Sequence, residues 1–493
     1  MYQGKTEPYS QQREAFNKTK LFAYAAYFME QGTGKTKVVI DRSAYLWEQK
    51  KIDGVLILCP NSLTDTWMEE IELHCPDRVN PVAAVWDSSL TKKVAARLEK
   101  VIYAEKGLPF LIMNIEAIRT KKGKKLAHWW LKRKRLHLVC DESQIIATPS
   151  ASQTVCAIGA ARFSKARSIM TGTPTDGKAS DYYSQLNFLM PNPLGFSNFY
   201  SFRARYCTLE NKLVHIKPYF DKKKGKQIKT RQIVQITGAQ NADELKRRLL
   251  EFSYFCKKKD CMDLPDKIPH KRIASLMPEG MRIYKDVCRQ IVTEITADRS
   301  ITAEIALTKL IRLQQITGGF LPSDDDPDAL PIPGGNPKID LLVEAVGQFP
   351  GPTLFWARFK AEHKAIIKAL GAIVKPQYIG EITGRVAKAD REDNRRAFQK
   401  GKLEYLVMSQ SCGGAGYTLT KAENEIFYSN TFSHRIRVQA EDRAHRIGLE
   451  HPVNIIDLLI PVPSTKIDVD TKVYDALVKK EINATMLTDV KDL

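Results

Sequence analysis

Acid is what this chain is short of. Against 76 lysines and arginines stand 56 aspartates and glutamates, a formal net charge of +20 over 493 residues. That imbalance predicts attraction to a polyanion, with nucleic acid the simplest candidate and an anionic membrane surface its competitor. A second absence decides between them. No apolar run approaches the ~20 residues of a membrane-spanning helix, and the opening MYQGKTEPYS lacks the layout of a secretory signal. The expectation is nucleic acid and no membrane. Cysteine is scarce as well: nine residues with no C-x-x-C, and Cys59, Cys140 and Cys156 in apolar surroundings. This argues against a zinc site or a disulfide framework and for reduced core thiols in a cytoplasmic or nuclear compartment. Apolar residues are plentiful at 43%, enough for packed cores, and the length suits two or three domains.

The stretch around which the rest is arranged is Met29-Glu30-Gln31-Gly32-Thr33-Gly34-Lys35-Thr36, between an apolar run and Val38-Val39-Ile40. It reads as strand, glycine turn, helix. Gly32, Thr33 and Gly34 let successive backbone N–H groups face phosphate oxygens, and the helix N-terminus adds its positive dipole end. Lys35 then reaches the β- and γ-phosphates of a nucleotide and the Thr36 hydroxyl ligates Mg²⁺. The first glycine of the full pattern is replaced by Met29. Upstream, Gln12 opens a helix. Its amide offers a donor beside an acceptor, the complement of an adenine edge, and so makes it a candidate selector of ATP.

Downstream, apolar runs alternate with helical stretches, as in an open α/β sheet. GVLILCP (54–60) leads to Asn61 and Ser62, polar groups at the carboxyl end of a buried strand and a candidate seat for a nucleic-acid backbone. A basic band follows, Lys121 to Arg135. LHLVCDESQ (136–144) delivers Asp141 and Glu142 at a strand tip. Phosphoryl transfer is mostly positioning and charge neutralisation, so Asp141 suits the Mg²⁺ ion and Glu142 the attacking water, which it orients and deprotonates. SIMTGTP (168–174) ends another strand with Thr171 and Thr173, small hydroxyl residues suited to sensing a γ-phosphate and relaying its presence. In the second half, LEYLVMSQ (403–410) precedes Ser411, Gly413 and Gly414, a glycine turn that permits close approach to a nucleic-acid phosphate. Arg443 and Arg446, three apart, face the same way if they share a helix, and two guanidinium groups aimed across a cleft neutralise a transferring phosphoryl group.

On GxGKT, DE, TGTP and Gln439-Ala440-x-x-Arg443-x-x-Arg446-x-Gly448 together, the chain resembles the superfamily-2 helicases, and more closely their Snf-type DNA translocases, over almost its whole length. It departs from that family at Met29 (acidic there), at Ser143-Gln144 (commonly Ala-His), at Cys412, Tyr417 and Thr418, and at Asn430 to Ser433 (Trp-Asn-Pro there). The resemblance implies an α/β fold of two RecA-like lobes with helical insertions. Residues 1–256 form the ATP-binding lobe, with a helical insertion at about 195–250. Residues 257–337 form an inter-lobe segment with a helical insertion and an acidic, proline-rich loop, and 338–493 the second lobe. It also implies ATP and Mg²⁺ as ligands, Gln439 among the nucleotide-binding residues, and an ATP-driven motor on double-stranded DNA. An RNA or single-strand helicase, or the motor subunit of a repair or restriction complex working with a protein partner, stays open as an alternative. The modest length points to a monomeric bare motor of a prokaryote or virus, working in the cytoplasm (the host's if viral), or in the nucleus if eukaryotic.

Overall fold

A parallel strand covered by helices on both faces has no polar side and reads as an unbroken apolar run. GVLILC, LHLVCD and YLVMS are such runs. The computed structural model describes residues 2–221, 226–297, 303–324, 326, 328–410 and 417–488, and these runs are inner strands of two parallel sheets in it.

The first sheet takes β1 (Tyr24–Met29), β2 (Gly54–Cys59), β3 (Val82–Val85), β4 (Pro109–Asn114), β5 (Leu136–Asp141) and β6 (Ala166–Thr171). A separate hairpin, β7 (Cys207–Asp221) and β8 (Lys226–Ala239), intervenes before its last strand, β9 (Ser253–Cys256). The order is β3-β4-β2-β5-β6-β1-β9, every pairing parallel. The second sheet contains β10 (Lys267–Ile273), β11 (Thr353–Ala357), β12 (Ile379–Ile382), β13 (Tyr405–Ser409), β14 (Asn424–Phe427) and β15 (Val453–Leu459). Its order is β10-β15-β14-β11-β13-β12, again all parallel.

Successive residues of a strand point to opposite faces, and each sheet accordingly has two cores. In β2, Val55 and Ile57 pack with Val38, Ile40 and Trp67, while Leu56 and Leu58 pack with Trp130 and Phe188. In β13, Tyr405 and Val407 join Ile366 and Ile456, while Leu406 and Met408 join Phe398 and Phe427. Among the described residues no helix is long and apolar enough to cross a membrane.

Three expectations change. The insertion at about 195–250 is not wholly helical: helices Phe199–Tyr206 and Ala242–Leu250 flank the antiparallel hairpin, Cys207 opposite Ala239. Its return strand carries QIVQIT (232–237), in which Ile233, Val234, Ile236 and Thr237 are β-branched, a composition that favours strand over helix. The inter-lobe segment is shorter than 257–337, because β10 pairs with β15 and the helices after it bury Tyr284, Leu313 and Ile316 in the second lobe's core. VNIIDLLIP therefore does not close the second sheet. That edge falls to β10, whose mixed KIPHKRI has four of seven residues exposed and none buried and suits an edge better.

Candidate nucleotide cleft between the lobes

β1 ends at Met29 and a helix starts at Lys35. In the turn between them Gly32 and Gly34 both have φ +84°, a conformation that costs a glycine nothing. Both are also closely approached. A Cβ on Gly34 would fall 1.8 Å from Gln12 Nε2, and one on Gly32 would fall 3.2 Å from Arg446 Cγ. The loop is thus held from below by its own lobe and covered by an arginine of the other. Lys35 is buried, its Nζ donating to the Glu30 carbonyl at 3.2 Å. Burial pulls its ammonium down from the ordinary lysine range, against the charges of Glu142 and Asp141.

The carboxylates arrive from β5. Asp141 is its last residue, and Glu142 turns the chain at φ +48°, a left-handed conformation uncommon outside glycine and found at functional turns. Trp67 Nε1 donates to Asp141 Oδ2 at 2.9 Å and the Glu142 N–H donates to Oδ1 at 2.8 Å. The Gln144 amide fixes Glu142 Oε2 at 2.6 Å. Burial, then the Glu142 charge, pushes Asp141 up to about 7, against Lys35 and the Trp67 donor.

Arg443 and Arg446 form the opposite wall. They do not share a helix as expected: the helix His434–Glu441 ends before them and both lie in the turns that follow. The Arg443 carbonyl, which a continuing helix would give to residue 447, accepts instead from the Leu419 N–H at 2.9 Å. Both side chains still line the cleft. Burial, then the neighbouring Arg446, pulls Arg443 down to about 10, and burial lowers Arg446.

The resulting cavity of about 650 Å³ brings together Gln12, Gly32, Gly34, Lys35 and Thr36, the two carboxylates, and Gln439, Arg443 and Arg446. Thr33 does not line it; its hydroxyl and N–H turn under the loop onto the Glu30 carbonyl. Gln12 lines the cleft with one of its N–H groups and one oxygen lone pair spent on its own lobe. Its Oε1 accepts from the Tyr9 N–H at 2.9 Å and its Nε2 donates to the Gly34 carbonyl at 3.4 Å, so it props the loop.

The remaining candidates lie elsewhere. Asn61 and Ser62 form an exposed helical turn after β2, and Asn61 borders a separate first-lobe hollow with Arg97, Arg119 and Thr120. Ser411, Gly413 and Gly414 lie outside the described residues. Thr171 Oγ1 accepts from the Thr173 N–H at 3.0 Å, and Thr173 faces an inter-lobe cavity of about 350 Å³ that also touches Lys258, His434 and Asp442.

Three further residues had no assigned role in the sequence reading. Trp67 is the donor on Asp141. Gln185 accepts from the Ser143 hydroxyl at 2.7 Å and donates to the Pro174 carbonyl at 2.7 Å, tying the carboxylate turn to the TGTP loop. Lys258 crosses the lobe boundary: its N–H donates to Glu30 Oε2 at 2.9 Å, and its Nζ reaches Asp442 Oδ1 and the His445 carbonyl, both at 2.6 Å. Of the three, Lys258 alone sits in a run legible along the chain, Lys257-Lys258-Lys259 ahead of Leu264-Pro265. The other two act through contacts that no spacing encodes.

The profile of the SNF2-related domain matches residues 28–318, and that of the helicase conserved C-terminal domain matches residues 337–448. Chromodomain-helicase-DNA-binding protein 1-like of Danio rerio is 24% identical over 446 residues, 87% of this chain and 39% of its own length. An uncharacterized ATP-dependent helicase of Mycoplasma genitalium, MG018, is 24% identical over 437 residues, 87% of this chain and 37% of its own. The chain thus spans less than two-fifths of these curated relatives. Among solved structures, the Sulfolobus solfataricus SWI2/SNF2 ATPase core in complex with dsDNA is similar at a TM-score of 0.42 and 19% identity, covering 99% of this chain and 98% of that one. With its matched SNF2-related region spanning more than half of its length, and a helicase C-terminal domain following, the chain belongs to the SNF2-related family.

Proposed function

We propose that the protein hydrolyses ATP between its two lobes and uses the cycle to move along double-stranded DNA. The observation that carries this reading is the cleft's charge. Lys35, Arg443 and Arg446 are brought from both lobes into one cavity, where burial disfavours all three positive charges, so a polyanion that enters stabilises cations that have given up much of their contact with water. A triphosphate with its γ-group against both walls fits that arrangement.

Asp141 fits a divalent cation. It is a buried carboxylate held at about 7 with N–H donors on both oxygens, and Thr36 lines the same cleft. Together they would hold Mg²⁺, which when bound neutralises phosphate charge. Glu142, fixed by Gln144, orients and deprotonates the attacking water. Arg443 and Arg446 stabilise the transferring phosphoryl group. Nucleotide favours the closed cleft because only then do both walls contact it, and hydrolysis releases that bias. The Ser143–Gln185–Pro174 chain carries the change to Thr171 and Thr173. DNA is gripped along the backbone by the Asn61–Ser62 turn and by Ser411, Gly413 and Gly414, with the basic excess favouring a sequence-independent, salt-sensitive hold.

The test is Arg446→Ala. Transition-state arginines are worth ~10³–10⁵ in turnover, so hydrolysis falls by about a thousandfold or more while affinity for a fluorescent ATP analogue changes little. A large loss of affinity with normal turnover of bound ATP contradicts the assignment.

A further inference from the structure

The cysteines Cys256 and Cys261 lie on the strap that joins the lobes. Cys256 ends β9, paired with Met29 at the entrance of the phosphate loop, and its carbonyl accepts from the Glu30 N–H at 2.9 Å. Cys261 ends the short helix Lys258–Cys261. Their Sγ atoms are 2.8 Å apart, within ~0.8 Å of a disulfide bond length. Both are free thiols; Cys256 is buried and Cys261 half-buried. Between them sits Lys258, which holds Glu30 on one lobe and Asp442 and the His445 carbonyl on the other.

We propose that Cys256 and Cys261 form a redox-active dithiol, open to small-molecule disulfides, whose closure fixes the strap that carries Lys258. The more exposed Cys261 attacks as thiolate, forming a mixed disulfide and expelling one small thiolate. Cys256 then attacks the Cys261 sulfur, expelling the second. Two protein thiols are oxidised, one small disulfide is reduced to two thiols, and the two cysteine protons end on them. Burial raises both thiols, so exchange is slow at neutral pH and accelerates as pH rises. The closed ring holds Lys258 in its clasp and resists the strap's rearrangement. That this slows turnover rests on the ATPase reading; the dithiol itself does not.

The experiment treats the native full chain with oxidised glutathione at pH 8, alkylates the remaining thiols and digests with trypsin. Cleavage at Lys257, Lys258 and Lys259 separates the two cysteines, so a disulfide appears as two peptides joined until reduced. The expected result is that joined pair, with hydrogen exchange at amides 257–261 slowed at least severalfold in the oxidised protein. Cys256→Ser traps Cys261 as the glutathione mixed disulfide. Recovery of Cys256 and Cys261 as separate alkylated peptides overturns the proposal, as does a stable glutathione adduct on the unaltered chain or a link with unchanged exchange. If reduced protein hydrolyses ATP, oxidation lowers the rate severalfold, reductant restores it, and Cys261→Ser is insensitive. Absence of hydrolysis in both redox states counts against the ATPase reading and leaves the dithiol to be decided by the linked peptide and the exchange rates.

Discussion

Replacing Trp67 with Phe removes one donor and little else. The indole is 2% exposed and its N–H is spent on Asp141 Oδ2 at 2.9 Å. Hydrogen bonds to charged groups are worth ~1.5–3 kcal/mol, and each pH unit of titration is 1.36 kcal/mol. The bond favours the ionised carboxylate, so its loss moves Asp141 from about 7 upward by a further ~1–2 pH units. A protonated Asp141 does not hold a cation. Apparent Mg²⁺ affinity at pH 7 therefore falls by roughly tenfold, and the deficit closes by about pH 9–10, where both proteins are ionised. The smaller ring also loses packing, but that loss does not depend on pH, so the pH dependence isolates the donor. The assay is turnover against Mg²⁺ concentration at several pH values. An unchanged profile, or a deficit equal at every pH, refutes the role given to Trp67.

Three other outcomes are expected. Free aspartate titrates near ~3.9 and Asp141 near about 7. The native state therefore keeps an extra proton between those values, and stability falls as pH rises through them, the loss being complete above about 7. Asp141→Asn removes that pH dependence: without Mg²⁺ the parent loses ~4 kcal/mol relative to the variant between pH 4 and pH 8, read as a change in the difference between their melting temperatures, while turnover is lost. Gly34→Ala meets both φ +84° and the Gln12 amide, so nucleotide binding measured by calorimetry is abolished. Adding Gln12→Ala relieves the clash but not the backbone strain of ~1–2 kcal/mol, giving partial recovery. Lys258→Met strips the buried Asp442 of its nearer partner and leaves Lys267 at 3.7 Å; urea unfolding shows a loss below the ~3–5 kcal/mol of a fully broken buried pair.

What was legible in the sequence was whatever repeats along one strand or turn. Apolar runs marked the sheets because a two-sided parallel strand has no polar face, and Gly32, Gly34 and the Asp141-Glu142 step marked the turns at their tips. The hairpin at 207–239 was hidden because its β-branched residues are interspersed with charge and it sits where the resemblance implied helices. The Arg443–Arg446 spacing was visible, but the end of their helix was not, since it depends on Leu419 taking a carbonyl from a distant loop. The Trp67 donor and the Ser143–Gln185–Pro174 chain are tertiary pairings between segments, and a single sequence carries no trace of them; the Cys256–Cys261 contact is local, five residues apart, but it depends on the short helix that turns the strap back on itself.

The most direct measurement is ATP hydrolysis by the purified chain with duplex DNA, single-stranded DNA and RNA, each at low and moderate salt. Strong stimulation by duplex DNA alone, weakening steeply as salt rises, is the predicted result. Stimulation only by RNA or single strands, or hydrolysis indifferent to all three, contradicts a motor that moves on double-stranded DNA.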